Sequence, residues 1–261
     1  MEYLLDLAPL VAIVVVLLGV LVWWRRHKKR KAERAHAEEV AAFASALGGR
    51  VAGPDDVRPW SAELLAPLRD ETDGVINRMG VASRRRYTTA VDLRRGPWSV
   101  RVGEASVEKS RDNGTRTARE QRIEVATAPL APTRIGRRVH GGRTLLGPDR
   151  TAAEGGGLVR EVPVTVAAAG GGWHRVAFPP GPFDAGFAVF TSDPAAAVRA
   201  LHPRAVEHLL AVGHDLPFTL HFEAGLVFGT IPGPMEPDRT TAAVDAIVGL
   251  LDRMGAIPVD R

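Results

Sequence analysis

The first strong pattern along the chain is an unbroken apolar run over residues 7–24, which contains no charged side chain. As an α-helix this run would be about 27 Å long, close to the hydrocarbon thickness of a bilayer. It has no polar face, which a buried helix of this length would normally show. Trp23 and Trp24 stand at its end, where interfacial aromatic residues belong. The pattern therefore predicts a transmembrane helix over residues 4–24.

A block of positive charge follows this run and sets the predicted topology. Because cations favour the cytoplasmic end of a membrane-spanning helix, the N-terminus is predicted outside and the body in the cytoplasm. A cleaved signal peptide would need positive charge before the apolar core, and none is present there. We predict a single-pass protein of the plasma membrane, with the bilayer as a partner. The residues that anchor it and set its topology are Trp23, Trp24, Arg25, Arg26, Lys28, Lys29, Arg30 and Lys31.

Beyond these cations the apolar positions change from a helical to an alternating pattern. Residues 25–50 are predicted as a basic juxtamembrane segment and a helix that ends at a Gly pair. Residues 51–130 are predicted as a short helix and an antiparallel meander. Within them residues 84–93, 98–102 and 119–127 alternate apolar and polar side chains, and one face of the meander is expected to be solvated.

The second half of the chain divides into an irregular connection and a mixed module. Residues 131–157 are rich in Pro and Gly and lack periodicity, which predicts the connection. Residues 158–261 predict strands, a helix broken at Pro203, a hairpin about Ala224-Gly225 and an amphipathic helix over 240–254. The predicted fold class is α+β: an N-terminal transmembrane helix, then a soluble body of antiparallel strands with a few helices.

Composition and charge narrow the function. The absence of cysteine excludes disulfides, thiolate metal sites and cysteine nucleophiles. Beyond residue 31 the chain carries 28 basic and 28 acidic side chains, and a neutral body argues against a nucleic-acid binder. Residues 75–150 nevertheless carry 17 basic and 7 acidic side chains. One hypothesis is that this segment contacts anionic lipid (or nucleic acid), with Arg84, Arg85 and Arg86 as candidates; the competing interpretation is pairing with acidic segments elsewhere.

Ser192 is the candidate nucleophile, because it stands between an apolar strand pattern and a helical one. A hydrolase nucleophile elbow needs Gly two residues to either side, and Phe190 and Pro194 occupy those positions. Ser-Asp-Pro before an Ala run is typical of a helix start, with Ser192 or Asp193 as the cap. The alternative is a hydrolase-type enzyme with a Ser192/His174/Asp184 triad.

Neither a metal nor a cofactor is predicted. His202, His208, His214 and His221 are six, six and seven residues apart, so no two of them share a helix face at the i, i+4 spacing of metal ligands. Gly155–Gly157 and Gly170–Gly172 lack the motif of a phosphate-binding loop.

A resemblance adds to this interpretation. The stretch "FDAGFAVFTSDPAAAVRALHPRAVEHLLAV", followed by "FTLHFEAGLVFGTI" and an amphipathic helix, resembles a C-terminal module of uncharacterised single-pass membrane proteins from GC-rich, actinobacterial-type bacteria. It covers residues 158–254 and implies an α+β architecture and membrane association, with no activity to carry over. We predict a membrane-anchored, non-catalytic interaction or accessory protein with a protein partner.

Overall fold

A large antiparallel sheet is the centre of the computed structural model, which describes residues 17, 20–21, 23–24, 27–28, 30–31, 34–65, 67, 86–111, 114–139, 158–159 and 172–261. Its strands are β1 (Arg50–Val51), β2 (Arg86–Arg95), β3 (Trp98–Arg111), β4 (Gly114–Ala126), β5 (Thr133–Val139), β6 (Leu158–Val159), β7 (His174–Val176), β8 (Phe187–Thr191), β9 (Thr219–Glu223) and β10 (Leu226–Pro232). The order across the sheet is β1-β2-β3-β4-β10-β9-β5-β8-β7, with β6 beside β5. The α+β class with antiparallel strands is confirmed.

The predicted meander is strands β2, β3 and β4. Strand β3 is longer than the predicted 98–102, and it pairs with β4 from Val100↔Val125 to Arg111↔Gly114. The alternation breaks at Glu104 because this carboxylate points to the core face of the sheet. It is satisfied there by His36 Nε2 at 3.0 Å and by the backbone N–H of Met235 at 2.8 Å. Hydrogen-bond partners of this kind offset the cost of burying the carboxylate on the core face of a strand.

Strand β5 joins the two parts of the sheet, although it lies in the segment predicted as irregular. It pairs with β9 on one side and with β8 on the other. Arg134, Arg137 and Arg138 interrupt the alternation of apolar and polar side chains in this strand, and Ile135 lies in the buried core. The sheet therefore takes strands from both predicted units, 51–130 and 158–261; their division into separate domains stays a prediction.

The helices pack on one face of the sheet. They are α1, described without a gap over 34–46, then α2 (Pro182–Gly186), α3 (Pro194–Ala200), α4 (Pro203–Val212) and α5 (Pro237–Met254). The predicted stripe of α5 is confirmed, since Val244, Ile247, Val248 and Leu251 are buried. The predicted break is confirmed as well. Helix α3 ends at Ala200, and Pro203 opens α4, where a missing N–H costs no hydrogen bond.

The N-terminal region requires a correction. Among the residues that the structure describes, no helix is both long and apolar enough to cross a bilayer. By this finding the predicted transmembrane helix over 4–24 is wrong, and so are the single-pass topology and the plasma-membrane localisation with a cytoplasmic body. Most of residues 1–24 lie outside the described residues. Helix α1 lies in the following segment, 25–50, where a helix is predicted, and it buries Val40, Phe43 and Ala44 in the core.

Candidate functional site

The sheet face turned away from the helices carries charged side chains that are nevertheless buried. Arg101 on β3 is 5% exposed, and Arg122 and Glu124 on β4 are 1% and 0% exposed. The segment 52–65 crosses this face and covers them. The expectation that one face of the meander is solvated is therefore wrong for this region. The charges remain buried because each one is bonded to the crossing segment.

Glu124 and Arg122 hold the two ends of a tight turn over residues 60–65. The Glu124 carboxylate accepts the backbone N–H groups of Trp60 and Ser61 at 2.7 and 2.8 Å, and it also accepts the Ser61 hydroxyl. Arg122 Nη1 donates to the carbonyl of Leu65 at 2.8 Å and to Ser61 Oγ at 3.2 Å. An anion stands at the N–H end and a cation at the carbonyl end, which complements the dipole of the turn.

Arg101 fixes the neighbouring part of the crossing segment. Its Nε and Nη2 donate to the two oxygens of Asp92 at 2.6 and 2.9 Å, and Nη1 donates to the Arg58 carbonyl at 2.9 Å. The hydrogen bond to Asp92 raises the pKa of Arg101 above its usual value, against the opposing effect of burial. The guanidinium also lies 5.3 Å from the ring centre of Trp60, which is within cation–π range. The half-buried indole is thereby held at one position.

Trp60 opens onto a cleft of about 410 Å³ at the β1 edge of the sheet. Its walls are Gly48 and Gly49, Arg50 of β1, parts of β2 and β3, and the end of the segment that follows α5. Arg50 and Arg94 line it, with side chains 80% and 62% exposed. The cleft thus combines an aromatic surface with accessible guanidinium groups, a pairing that suits planar or charged ligands.

Residues 256–261, which we call the strap, run from α5 into this cleft. Gly255 ends the helix with φ 67°, and its left-handed conformation turns the chain back toward the sheet. The carbonyl of Ile257 accepts the N–H of Ala128 at 2.8 Å, and Pro258 forms an isolated bridge to Thr127. Asp260 pairs with Arg94. The Arg261 guanidinium lies 5.7 Å from the ring centre of Trp60.

Tyr87 and Arg122 leave buried polar atoms unbonded at the far end of the same face. In the part of the chain that the structure describes, the Tyr87 hydroxyl and the Nε and Nη2 atoms of Arg122 have no hydrogen-bond partner. The guanidinium lies 5.7 Å from the Tyr87 ring centre. Burial raises the pKa of Tyr87 to about 12, although the charge of Arg122 acts in the opposite direction.

The structure does not bring the candidate triad together. Ser192 is exposed, and its N–H bonds to the Pro132 carbonyl. His174 lies exposed on the edge strand β7. Asp184 lies within 3.8 Å of Arg138 and Arg175. No hydrogen bond or ion pair among these described residues joins two of the three. Asp193, the second of the two predicted caps, starts α3: its Oδ1 accepts the Ala196 N–H at 2.9 Å.

The four clustered histidines each have a separate structural partner. The Nε2 atoms of His202 and His208 bond to the carbonyls of Arg253 and Ala246 on α5, at 2.6 and 2.9 Å. His214 lies 3.2 Å from Asp215, and the ring of His221 stacks on Phe228. Within the described ranges, no three His, Asp or Glu side chains are grouped as a metal site would require.

The predicted anchor and lipid-contact residues are only partly described. Trp23 stacks on His27, and Lys28 lies over the Trp24 ring, while Arg30 and Lys31 are exposed. Arg25, Arg26, Lys29, Arg84 and Arg85 lie outside the described residues. Arg86 is the first residue of β2. Five arginines of the basic segment lie within 4 Å of carboxylate oxygens outside residues 75–150, as the pairing interpretation expects: Arg94, Arg95, Arg101, Arg134 and Arg138. Arg119 and Arg122 lie near Glu104 and Glu120, which belong to the basic segment itself. The lipid-contact hypothesis stays untested.

The residues that form the cleft, and those that hold the turn beside it, were not found from the sequence. Trp60 reads as part of a turn, and Arg122 and Glu124 read as exposed positions of an alternating strand. The one available signal is the run "REQRIEVA", in which opposite charges share the polar face of a strand and can attract a polar segment to it.

Comparisons with known proteins supply no family. No protein-family model matches the chain, and no curated sequence matches it either. Among solved structures, the chain is similar to the crystal structure of the mycobacterial trehalose monomycolate transport factor A, TtfA, with 13% sequence identity and a TM-score of 0.41. The match covers 85% of this chain and 96% of that one. A likeness at this level is too low to support an inference about activity, partner or location.

Proposed function

We propose that this chain is a non-catalytic interaction protein, and that the cleft beside Trp60 is its contact surface for a protein partner. The observation that carries the proposal is the arrangement of Trp60 with Arg50 and Arg94 on one open cleft. Trp and Arg are the residues that most often supply binding energy at protein interfaces. Both arginines are largely exposed, so a partner reaches them without unfolding the body.

The surroundings of Trp60 support a binding role over a catalytic one. The buried bonds to Glu124 and Arg122 hold the turn that carries the indole, and preorganisation of this kind lowers the entropic cost of binding. The polar side chains on the cleft walls are Ser99 and several arginines and aspartates, of which Arg50 lies 3.8 Å from Asp92 and Arg94 pairs with Asp260. Covalent catalysis would need a nucleophile bonded to a base, and among the described residues no hydrogen bond joins the Ser99 hydroxyl to a carboxylate or an imidazole.

Site-specific photo-cross-linking in living cells tests the proposal. A photoreactive residue at Arg50, on the cleft, is compared with one at Arg199, an exposed residue of α3 that packs near β7 and β8 at the opposite edge of the sheet. We expect an adduct from position 50 and none from position 199. The partner identified from the adduct is then purified, and its affinity is measured for the unmodified chain and for Arg94→Glu. We expect charge reversal to weaken binding at least tenfold.

The matched control is Arg95→Glu, which introduces the same charge change one residue away. Arg95 points to the other face of β2 and pairs with Asp245 at 2.6 Å. Equal effects of the two reversals, or the same adducts from positions 50 and 199, would show that the cleft is not the contact surface.

A further inference from the structure

The end of the strap forms one wall of the cleft and contacts Arg94 and Trp60 there as a bound peptide would. It places a carboxylate, Asp260, against Arg94, and the next residue, Arg261, against the Trp60 ring at 5.7 Å. We propose that the cleft recognises a polypeptide segment in which an acidic residue is followed by arginine, and that the strap is a built-in competitor for the same position. This inference rests on the proposed function and names the chemistry of the partner.

The charges of the cleft favour such a segment. Asp92 is already bound by both nitrogen arms of Arg101, so it neutralises a buried cation of the wall. Without the strap, the cleft would carry positive charge at Arg50 and Arg94. The electron-rich face of the Trp60 ring would be free a short distance away. A carboxylate suits the first point and a guanidinium suits the second.

The strap is held weakly enough to be displaced. Ala256 bonds to the Leu251 carbonyl of α5 and packs against the core, so this first residue of the strap stays with the helix. Beyond it, the backbone is attached to the body by the hydrogen bond from Ala128 to Ile257 and the bridge between Thr127 and Pro258. Ile257 and Val259 remain 65% and 40% exposed, so little apolar surface would be lost from the core when it leaves. The Arg94–Asp260 pair is solvent-exposed on both sides, and exposed pairs contribute little. Release of the strap therefore leaves the sheet and the helices intact.

Competition between the strap and an external peptide lowers the apparent affinity of the peptide by an amount that can be calculated. If the strap covers the cleft about nine-tenths of the time, an external peptide binds about tenfold more weakly than it would to the open cleft. Changing the two contacting strap residues to alanine removes the competitor without altering any wall residue of β2 or β3. The unmodified chain and the strap variant thus differ in access to the cleft and share its recognition groups.

Fluorescence polarisation of a labelled synthetic peptide, MGAIPVDR (residues 254–261), tests the inference on the full chain. We expect the Asp260→Ala/Arg261→Ala variant to bind the peptide at least fivefold more tightly than the unmodified chain. Adding Arg94→Glu should weaken that binding at least threefold, because it replaces a modest attraction between exposed charges by a repulsion, and a peptide whose Asp is replaced by Arg should restore part of the affinity. Adding Arg95→Ala instead, which changes charge on the other face of β2, should leave the affinity unchanged.

The opposing outcomes are equally definite. The inference is overturned if the strap variant binds the peptide no better than the unmodified chain, or if Arg94→Glu leaves binding intact. Tighter binding of a single-stranded RNA oligomer than of the peptide would overturn it as well, because the cleft would then favour stacked bases and phosphates. A cross-linked partner whose affinity depends on Arg94 and not on the strap would reject this inference and leave the proposed function standing.

Discussion

Glu124→Gln is the most direct test of how the site is built, because one buried carboxylate positions the turn that carries Trp60. The side chain is 0% exposed and accepts two backbone N–H groups and one hydroxyl. Glutamine has nearly the same shape but keeps a single acceptor oxygen. In either orientation of the amide, its NH₂ group would take the place of one acceptor oxygen, so that a donor would face a donor. The negative charge near Arg122 would also be lost.

The size of the effect follows from these contacts. Hydrogen bonds to a charged group contribute about 1.5–3 kcal/mol each to stability. Removing one partner of a buried ion pair costs about 3–5 kcal/mol in total. We expect Glu124→Gln to lower the unfolding free energy by about 3–5 kcal/mol. For a body of this size each kcal/mol shifts the melting temperature by about 2–4 °C, so the expected decrease is about 6–20 °C.

Thermal unfolding of the full chain, followed by circular dichroism, measures this effect against a matched control. Glu223→Gln makes the same change on the same sheet face, but its side chain is 34% exposed and lies 3.8 Å from Arg134. It should cost less than about 1 kcal/mol. Ser61→Ala should also lose part of its effect in the Glu124→Gln background, since the two residues share a bond. If Glu124→Gln and Glu223→Gln have the same melting temperature, the Glu124 carboxylate does not hold the turn and the reasoning is refuted.

Three further predictions follow from other parts of the fold. Asp193→Ala should lower the unfolding free energy by about 0.5–2 kcal/mol in urea denaturation, because it removes the cap of α3, whereas Ser192→Ala should stay within about 0.5 kcal/mol; the reverse order would restore Ser192 as the cap. Gly229→Ala should cost about 1–3 kcal/mol, since its Cβ would meet Pro217 at 2.6 Å, while Gly53→Ala, with no atom within 4 Å, should be near neutral; equal melting temperatures would contradict the packing there. Between pH 10 and about 12 the folded chain retains the Tyr87 proton that the unfolded chain releases, so stability should fall with rising pH across this window. The fall should be smaller in Tyr87→Phe, and a phenolate absorbance titration without a late-titrating tyrosine would disprove the shift.

Elements with a local cause could be predicted from the amino-acid sequence. Val244, Ile247 and Leu251 recur at helical spacing, so the buried stripe of α5 could be read directly. Pro203 separates α3 from α4 because its ring is incompatible with a helix interior. Ala224 and Gly225 both have positive φ, 54° and 70°, as the predicted hairpin between β9 and β10 requires. The α+β class follows from such elements taken together.

The way these elements pack together could not be predicted in the same way, because it depends on contacts between distant parts of the chain. Strand β10 lies beside β4 with about a hundred residues between them in the chain, and no local pattern specifies that pairing. Strand β5 went unrecognised because its arginines are stabilised by partners distant in sequence, such as Glu223 near Arg134. The N-terminal apolar run predicts a membrane helix from its length, its hydropathy and its flanking residues, whereas no helix among the described residues is long and apolar enough to cross a bilayer.

The cleft belongs wholly to this second class. Trp60, Arg94 and Arg261 are unremarkable in the sequence, and they come together only because the segment 52–65 crosses the sheet and the strap returns to it. Glu124 reads as a solvated strand residue until that crossing segment buries it. A side chain's local pattern reports its own element and face. The burial and the hydrogen-bond partners of that side chain depend on which distant segment covers the face. Contacts between residues far apart in the chain produce no periodic pattern from which they could be predicted.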